Sequence, residues 1–314
     1  MCRSTIEITD KKILEQQLNI ARQRFQAVIE NAYDGIITID EKHTIKLMNE
    51  AAREIFGISE SEVQGMHLSR FIPLRYRNKH AEYVSAFRTS AIDARPMHSR
   101  AAVTGLRADG TEVPLEVAIA KIRVGADLEM TAVLRDISER ARLIEELSRA
   151  ATQDALTGLY NRRFTTGILS KELERCRRFK RVLGIAMIDL DNFKKVNDTF
   201  GHACGDSVLK MVGEALVKNI REIDTACRWG GEEFIVILPE TDLKTTITWA
   251  ERARKVIAAK TVEESEGQVV SVTASFGVIA TCGQDETVEA VMQKVDKALY
   301  RAKEGGKNQV FGIE

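Results

Sequence analysis

The chain has 314 residues, enough for two domains, and with 44% hydrophobic and 29% charged residues it has the composition of an ordinary globular protein. Lysine plus arginine and aspartate plus glutamate number 46 each, so the formal net charge is zero. This balance provides no overall basic field for nucleic acid or an anionic membrane surface, and we expect neither as a partner.

No apolar run approaches the roughly 18 residues that a membrane-spanning helix needs. The first residues lead into a polar helix rather than a signal peptide. We therefore expect a cytoplasmic protein without membrane insertion. The five cysteines are scattered and lack Cys-x-x-Cys spacing, which favours reduced thiols over disulfides or zinc ligands.

The first predicted element is a helix over residues 10–27. Apolar residues recur there among charged ones, and neither glycine nor proline interrupts the pattern. We expect residues 1–27 to form an amphipathic helix that packs on a partner.

Residues 28–137 carry a run of strands and short helices, in which Asn49 is placed to cap a helix and Gly57 to end it. The predicted elements are two strands, a helix and three strands at 35–40, 44–48, 50–56, 101–106, 113–122 and 130–136. This order resembles a PAS domain, as do Asn49-Glu-Ala-Ala52, Arg107-Ala-Asp-Gly-Thr111 and Asp136-Ile-Ser138. The resemblance implies an antiparallel five-stranded sheet with helices, in a domain that senses small molecules, binds a cofactor or dimerises.

One stretch of this region, residues 71–83, is similar to the helix of haem-binding PAS oxygen sensors. His80 falls on the position of their iron ligand, and Arg100 on that of the arginine that stabilises bound oxygen. The resemblance implies a possible haem in the PAS domain. The alternative is that His80 is a structural histidine.

Residues 138–153 contain apolar residues at spacings of three and four without a helix breaker. We expect a helical linker that forms a short parallel coiled coil between the sensor region and the rest of the chain.

The remaining residues, 154–314, alternate helix and strand patterns around a hairpin. The predicted elements are helices at 163–180, 205–219, 244–259 and 287–304 and strands at 182–188 and 269–276. An antiparallel hairpin with covering helices predicts an α+β sandwich of the ferredoxin-like palm type.

The hairpin contains the sequence Gly230-Gly231-Glu232-Glu233. Two glycines suit a tight turn, which would hold both acids at its tip beside a bare backbone that phosphate can approach. Upstream, Asp189 and Asp191 end an apolar strand and share one of its faces, because side chains alternate along a strand. Carboxylates gathered in this way bind the metal ions of nucleotidyl transfer.

Four motifs in this half resemble the GGDEF domain of diguanylate cyclases. They are Asp154-x-Leu-Thr-Gly-Leu-x-Asn-Arg-Arg163, Asp189-x-Asp-x-Phe-Lys-x-x-Asn-Asp198, Gly201-His-x-x-Gly-Asp206 and Arg228-x-Gly-Gly-Glu-Glu-Phe234. The resemblance implies an enzyme that condenses two GTP into cyclic di-GMP and two pyrophosphates, with Mg²⁺ or Mn²⁺, two ions per pair of half-sites.

The same resemblance assigns roles to single residues. Asp189, the backbone carbonyl of Leu190 and Glu232 would hold metal, and Glu233 would lie near the attacking hydroxyl. Asp191 is assigned to structure. The catalytic set is Glu233, Glu232 and Lys194.

For the substrate, Asn197 and Asp206 match the residues that read guanine, because a carboxamide and a carboxylate suit its amide edge. The resemblance places the triphosphate against three lysines and the glycines of the turn: Lys194, Lys303, Lys307, Gly230 and Gly231. Lys307 stands where many members have arginine, which keeps a point charge without the bidentate fork.

The segment Arg221-Glu-Ile-Asp224 matches the family's inhibitory RxxD site for cyclic di-GMP, with Arg252 as a third contact. An ordinary surface ion pair would have the same spacing. Because the product is two-fold symmetric, we expect a homodimer. The alternative function is a catalytically silent cyclic di-GMP receptor that signals through partner contacts.

Overall fold

The computed structural model describes residues 2–96, 103–125, 127–263, 268–282 and 287–313. The chain divides into two compact units, Met1–Ile144 and Glu145–Glu314. Within the described residues, no helix combines the length and the apolar character needed to cross a bilayer.

The described part of the N-terminal unit contains four α-helices and six strands, with short 3₁₀ helices at Leu68–Phe71 and Leu74–Tyr76. The helices are α1 (Cys2–Glu30), α2 (Glu50–Phe56), α3 (Glu60–Val63) and α4 (Arg77–Thr89). The strands are β1 (Gly35–Ile39), β2 (Ile45–Met48), β3 (Ala94–Pro96), β4 (Val103–Leu106), β5 (Glu112–Val124) and β6 (Asp127–Asp136).

The caps of α2 agree with the sequence prediction. The side chain of Asn49 accepts from the backbone N–H of Ala52, and Gly57 follows the helix with φ of 68°. This left-handed conformation is one that glycine adopts without strain, so the helix ends there.

The six strands form one antiparallel sheet in the order β2-β1-β6-β5, with β3 and β4 both paired to β5. The predicted five strands are present, and the structure adds β3. The sequence analysis missed β3 because it has three residues and ends in a proline, which is tolerated at a sheet edge. One face of the sheet and the helices enclose a core that includes Ile37, Met48, Phe56, Phe71 and Leu115.

Two helices present apolar side chains to solvent. On α1, Leu14, Leu18 and Phe25 are between 63% and 68% exposed. The linker helix α5 (Ser138–Thr152) likewise exposes Ile144 and Leu147. In the single chain, these rows of apolar side chains stay largely exposed to solvent.

In the C-terminal unit, the residues that the structure describes form four helices after α5 and eight strands. The helices are α6 (Arg162–Phe179), α7 (Phe193–Val217), α8 (Leu243–Ala258) and α9 (Val288–Glu304). The strands are β7 (Tyr160–Asn161), β8 (Leu183–Leu190), β9 (Thr225–Gly230), β10 (Glu233–Pro239), β11 (Thr261–Glu263), β12 (Val269–Ser271), β13 (Ala274–Thr281) and β14 (Val310–Ile313).

Six of these strands form a sheet in the order β14-β13-β8-β10-β9-β7. Every residue of β8 is buried, because helices cover both faces of the sheet. Ile185 and Met187 pack in one hydrophobic cluster, and Ala186 and Ile188 in the other. Because successive side chains of β8 point to opposite faces of the sheet, they belong to two layers of the core. The acidic end of β8 lies at the edge of the sheet where its strand ends.

Helix α7 begins earlier than predicted, at Phe193 rather than near residue 205. Gly201, with φ of 82° and ψ of 165°, kinks it in a conformation almost restricted to glycine. The kink explains why the sequence showed only the second half as a helix.

Candidate functional site

The signature turn, Gly230-Gly231-Glu232-Glu233, joins β9 to β10. Gly230 pairs with Glu233, so the turn itself consists of Gly231 and Glu232, and Gly231 has φ of +53°. The sequence prediction that both acids lie at the tip is wrong, because Glu233 is the first residue of β10. Glu233 belongs to the strand because it continues the pairing of β10 with β8, and a β-bulge at Trp229 shifts the register of β9 by one residue, so that Gly230 also leaves the turn.

Glu233 lies directly opposite Asp189 across the antiparallel pair β10 and β8. The backbone N–H of Leu190 donates to the carbonyl oxygen of Glu232 at 3.3 Å. The sheet therefore brings Asp189, Leu190, Glu232 and Glu233 together from segments more than 40 residues apart in sequence.

The carboxylates at this edge share an unfavourable electrostatic environment. Burial raises the pKa of Asp189, although the ammonium of Lys303, 2.8 Å from Oδ2, acts in the opposite direction. Burial also raises the pKa of Glu233, and the charges of Asp189 and Glu232 add to the effect. A further positive charge at this edge would relieve the repulsion.

The donor atoms fit a hard divalent cation. Asp189 and Glu232 offer carboxylate oxygens, and Leu190 offers a backbone carbonyl beside them. Among the described residues, no three or more His, Cys, Asp or Glu side chains are assembled to hold an ion by themselves. This incomplete set suits Mg²⁺ or Mn²⁺, since Mg²⁺ is usually held by one or two carboxylates, waters and substrate phosphates.

Two of the predicted lysines reach the same end of the sheet. Lys303 extends from α9 to Asp189, and Nζ of Lys307 donates to Oδ1 of Asn192 at 2.6 Å. Lys194, on the first turn of α7, is exposed. Above Gly230 and Gly231, no atom of the described residues lies within 4 Å of where a Cβ would stand, so the backbone is open to a phosphate.

Asp191 has a structural role, as the sequence analysis expected. It is 6% exposed, and its carboxylate accepts from the hydroxyls of Thr273 and Ser275, both at 2.7 Å. The backbone N–H of Asn308 donates to the same carboxylate at 2.9 Å. These bonds fix the loop after α9, which carries Lys307.

The predicted guanine-reading pair lies on the two halves of α7. Asn197 precedes the kink and Asp206 follows it, and Asp206 is exposed. The side chain of Asn197 packs against Gly205, where an added Cβ would overlap its Oδ1. Gly205 therefore allows Asn197 to approach the backbone next to Asp206, a role that the sequence analysis did not assign.

At the predicted inhibitory site, Arg221 and Asp224 form a closed pair. Nη2 and Nε of Arg221 donate to the two carboxylate oxygens of Asp224 at 2.9 and 3.1 Å. The Asp224 side chain is 2% exposed and that of Arg221 is 57% exposed. Arg252 instead donates to the carbonyl oxygen of Asn219 at 3.2 Å. The arginines are thus the accessible groups, whereas Asp224 is buried under Arg221.

In the N-terminal unit, His80 lies on α4 and is partly buried. Burial lowers the pKa of His80, and the charge of His43 adds to this effect, so a second imidazole is near. Arg100, the predicted distal arginine, lies outside the described residues.

The sequence analysis quoted Asp154 and Arg228 in motifs but gave them no role. In the structure, Nη1 of Arg228 pairs with Asp154, while its Nε and Nη2 donate to the carbonyl oxygen of Gly231. An arginine two residues before a glycine turn was the available signal, because a planar fork can hold a turn carbonyl and a carboxylate together.

Comparison with known proteins gives two family matches. The family described as "Diguanylate cyclase, GGDEF domain" matches residues 151–309, and the family described as "PAS fold" matches residues 23–137. The two matches follow the order of the two units.

Among curated proteins, the response regulator PleD of Caulobacter vibrioides is 42% identical over 174 residues, which cover 55% of this chain and 38% of PleD. The diguanylate cyclase DgcM of Escherichia coli is 36% identical over 204 residues, covering 65% of this chain and 48% of DgcM. The chain thus spans less than half the length of each of these relatives.

Among solved structures, the coiled coil and GGDEF domain of DgcB from Caulobacter crescentus in complex with c-di-GMP is similar, with a TM-score of 0.53 and 31% identity. It covers 56% of this chain and 93% of that one. The diguanylate cyclase SiaD of Pseudomonas aeruginosa, solved with its activator SiaC, has a TM-score of 0.51 and 37% identity, covering 56% of this chain and 69% of that one.

Proposed function

Because this chain belongs to the GGDEF family of diguanylate cyclases, we propose that it joins two GTP molecules into cyclic di-GMP and releases two pyrophosphates. The observation that carries the proposal is the group of acids at one sheet edge, Asp189, Glu232 and Glu233, with Lys303 beside Asp189. Such a group is costly to maintain without a ligand, since like charges in a partly buried place repel each other.

In the proposed reaction, the 3′-hydroxyl of each GTP attacks the α-phosphate of the other, and pyrophosphate leaves. Glu233 is the group that takes the hydroxyl proton. The pKa of Glu233 is raised toward neutral pH, and this favours its action as a general base. Asp189, Glu232 and the Leu190 carbonyl would hold divalent cations, which when bound neutralise phosphate oxygens.

The lysines bind the triphosphate. Lys303 and Lys307 come from α9 and the loop after it, and Lys194 lies on the neighbouring α7. Asn197 and Asp206 read guanine through its N–H donors and carbonyl oxygen. Gly230 and Gly231 leave the backbone bare where the phosphates pass.

We propose a homodimer, because each half-site holds one GTP and a two-fold symmetric product requires two such sites face to face. The exposed Ile144 and Leu147 of α5 support this proposal, since a partner helix would cover them. The PAS fold at residues 23–137 would then set how often the two catalytic faces meet.

Product feedback is proposed at Arg221 and Asp224, with Arg252 of a neighbouring copy. Arg221 would leave part of its contact with Asp224 to grip a phosphate or stack on guanine. The exposure of both arginine side chains supports this role.

Haem in the PAS domain remains a prediction that rests on His80. The possible iron ligand His80 is partly buried on α4, and no step of the proposed reaction is assigned to haem.

The test of the proposed function is incubation of the purified chain with GTP and Mg²⁺, followed by chromatography of the nucleotides. We expect cyclic di-GMP as the product and none from ATP. Tight binding of cyclic di-GMP without any turnover would instead favour the silent receptor.

A further inference from the structure

Three of the five histidines of the chain lie close together on the N-terminal unit. His43 is in the turn between β1 and β2, His67 precedes the 3₁₀ helix Leu68–Phe71, and His80 is on α4. The ring centroids of His43 and His67 are 5.8 Å apart, with their planes tilted by 47°. None of these residues belongs to the proposed catalytic site.

Backbone hydrogen bonds hold together the two segments that carry His43 and His67. The N–H of Leu68 donates to the carbonyl oxygen of His43 at 3.0 Å, and Thr44 forms an antiparallel bridge with His67. The two imidazoles therefore extend from neighbouring, paired backbone segments. The backbone pairing therefore keeps the two imidazoles close to each other.

His43 occupies a strained backbone position. Its φ is +62°, in the left-handed region that glycine adopts freely and that other residues enter at a cost. Glycine at position 43 would therefore adopt the same turn without this cost.

Nδ1 of His67 contacts Ser69 in two ways. Nδ1 of His67 lies 2.8 Å from the hydroxyl of Ser69. When that hydroxyl accepts the Nδ1 proton, Nε2 is free to bind an ion, at the expense of the longer 3.2 Å contact from the Ser69 N–H. A ligating histidine usually donates its other nitrogen in this manner.

We propose that His43 and His67 form a binding site for a divalent transition-metal ion of the zinc, nickel and copper class. An ion bound through nitrogen at about 2.0–2.1 Å lies roughly 3 Å from the ring centroid, so two rings 5.8 Å apart can share one ion. No third His, Cys, Asp or Glu of the described chain completes the set, so waters fill the remaining positions. Imidazole suits these metals, whereas Mg²⁺ prefers oxygen.

The test is calorimetric titration of the tag-free, metal-free full chain with ZnCl₂, NiCl₂ and CuCl₂ in excess Mg²⁺, which occupies the catalytic acids. We expect one ion per chain at micromolar concentration. The variant His43→Gly should bind about tenfold more weakly or worse, while its turn folds at least as well because φ of +62° suits glycine. His202→Ala, which removes an exposed histidine elsewhere, should retain the wild-type affinity.

Thermal unfolding gives a second readout. Zn²⁺ should raise the Tm of the wild-type chain and of His202→Ala, but not that of His43→Gly, because an ion that bridges two segments stabilises only the folded state. Equal affinity in wild type and His43→Gly, or binding at millimolar concentration only, would overturn the proposal.

Discussion

Arg228 forms an ion pair with Asp154, with 3.2 Å between Nη1 and Oδ1. The other nitrogens of the same guanidinium donate to the carbonyl oxygen of Gly231 at 2.9 and 3.0 Å. Asp154 lies two residues after the linker helix α5 ends at Thr152, so a single side chain connects the linker to the signature turn.

The first prediction concerns this connection. Arg228→Lys replaces a planar fork with one ammonium, which cannot hold both Asp154 and Gly231. We expect cyclic di-GMP formation to fall by about tenfold to a hundredfold, because a turn displaced by about 1 Å misplaces Glu232. Asp154→Asn is the milder comparison, since an amide oxygen still accepts from Thr157. Undiminished turnover in Arg228→Lys would show that the fork is dispensable.

The second prediction separates stability from catalysis at Glu233. Its raised pKa means that ionisation lowers the free energy of unfolding as pH rises through the folded-state pKa. Glu233→Gln removes this loss, so at pH 7 the variant should have a higher Tm than the wild type, and the difference should shrink at acidic pH.

Activity should change in the opposite direction. Without the base, Glu233→Gln should lose about a hundredfold or more of its rate. In the wild type, the rate should fall with decreasing pH at a higher pH than an ordinary glutamate would give. A variant that is less stable than the wild type at pH 7 would contradict the electrostatic account.

The third prediction tests the guanine-reading pair through Gly205. In Gly205→Ala the new Cβ would displace Oδ1 of Asn197, so the KM for GTP should rise while the secondary structure is retained. Gly167→Ala is the matched control, because it adds a methyl group to a helix position with nothing in the described structure within 4 Å. That control should be neutral or stabilised by about 0.5–1 kcal/mol.

The fourth prediction concerns the inhibitory site. Arg221→Ala should relieve product inhibition and also lower stability by about 1–3 kcal/mol, since the buried Asp224 loses the guanidinium and keeps the backbone N–H of residue 221 as a donor. Arg252→Ala should relieve inhibition with little change in stability, because it removes one bond to a backbone carbonyl. Inhibition curves and denaturant unfolding of the two variants check both parts. Unchanged product inhibition in both variants would show that Arg221 and Arg252 do not form an inhibitory site.

The elements with strong periodicity were predicted well. The helix expected at 244–259 is Leu243–Ala258, and that expected at 287–304 is Val288–Glu304. Residues 50–56 form α2 with the predicted caps. These segments carry their own apolar stripes and stop signals, so local sequence alone determines them.

The misses arise from tertiary effects. Glu233 belongs to β10 because it pairs with Asp189 of β8, and a pairing between segments more than 40 residues apart leaves no local signal. The strand expected at 269–276 is divided into Val269–Ser271 and Ala274–Thr281. Likewise, the RxxD spacing predicted that both Arg221 and Asp224 are available to a ligand. Asp224 is instead buried, because Thr241 and Pro239 accept hydrogen bonds from Arg221 and hold it over the carboxylate.

The central claim is that the acids at the end of β8 and in the signature turn make cyclic di-GMP. The most direct measurement is a parallel quantification of cyclic di-GMP and pyrophosphate formed from GTP and Mg²⁺ by the wild-type chain and by Glu232→Gln. We expect two pyrophosphates per cyclic di-GMP from the wild type and neither product from the variant, with both proteins folded. Equal product from the variant, or GTP consumed without cyclic di-GMP by the wild type, would contradict the account.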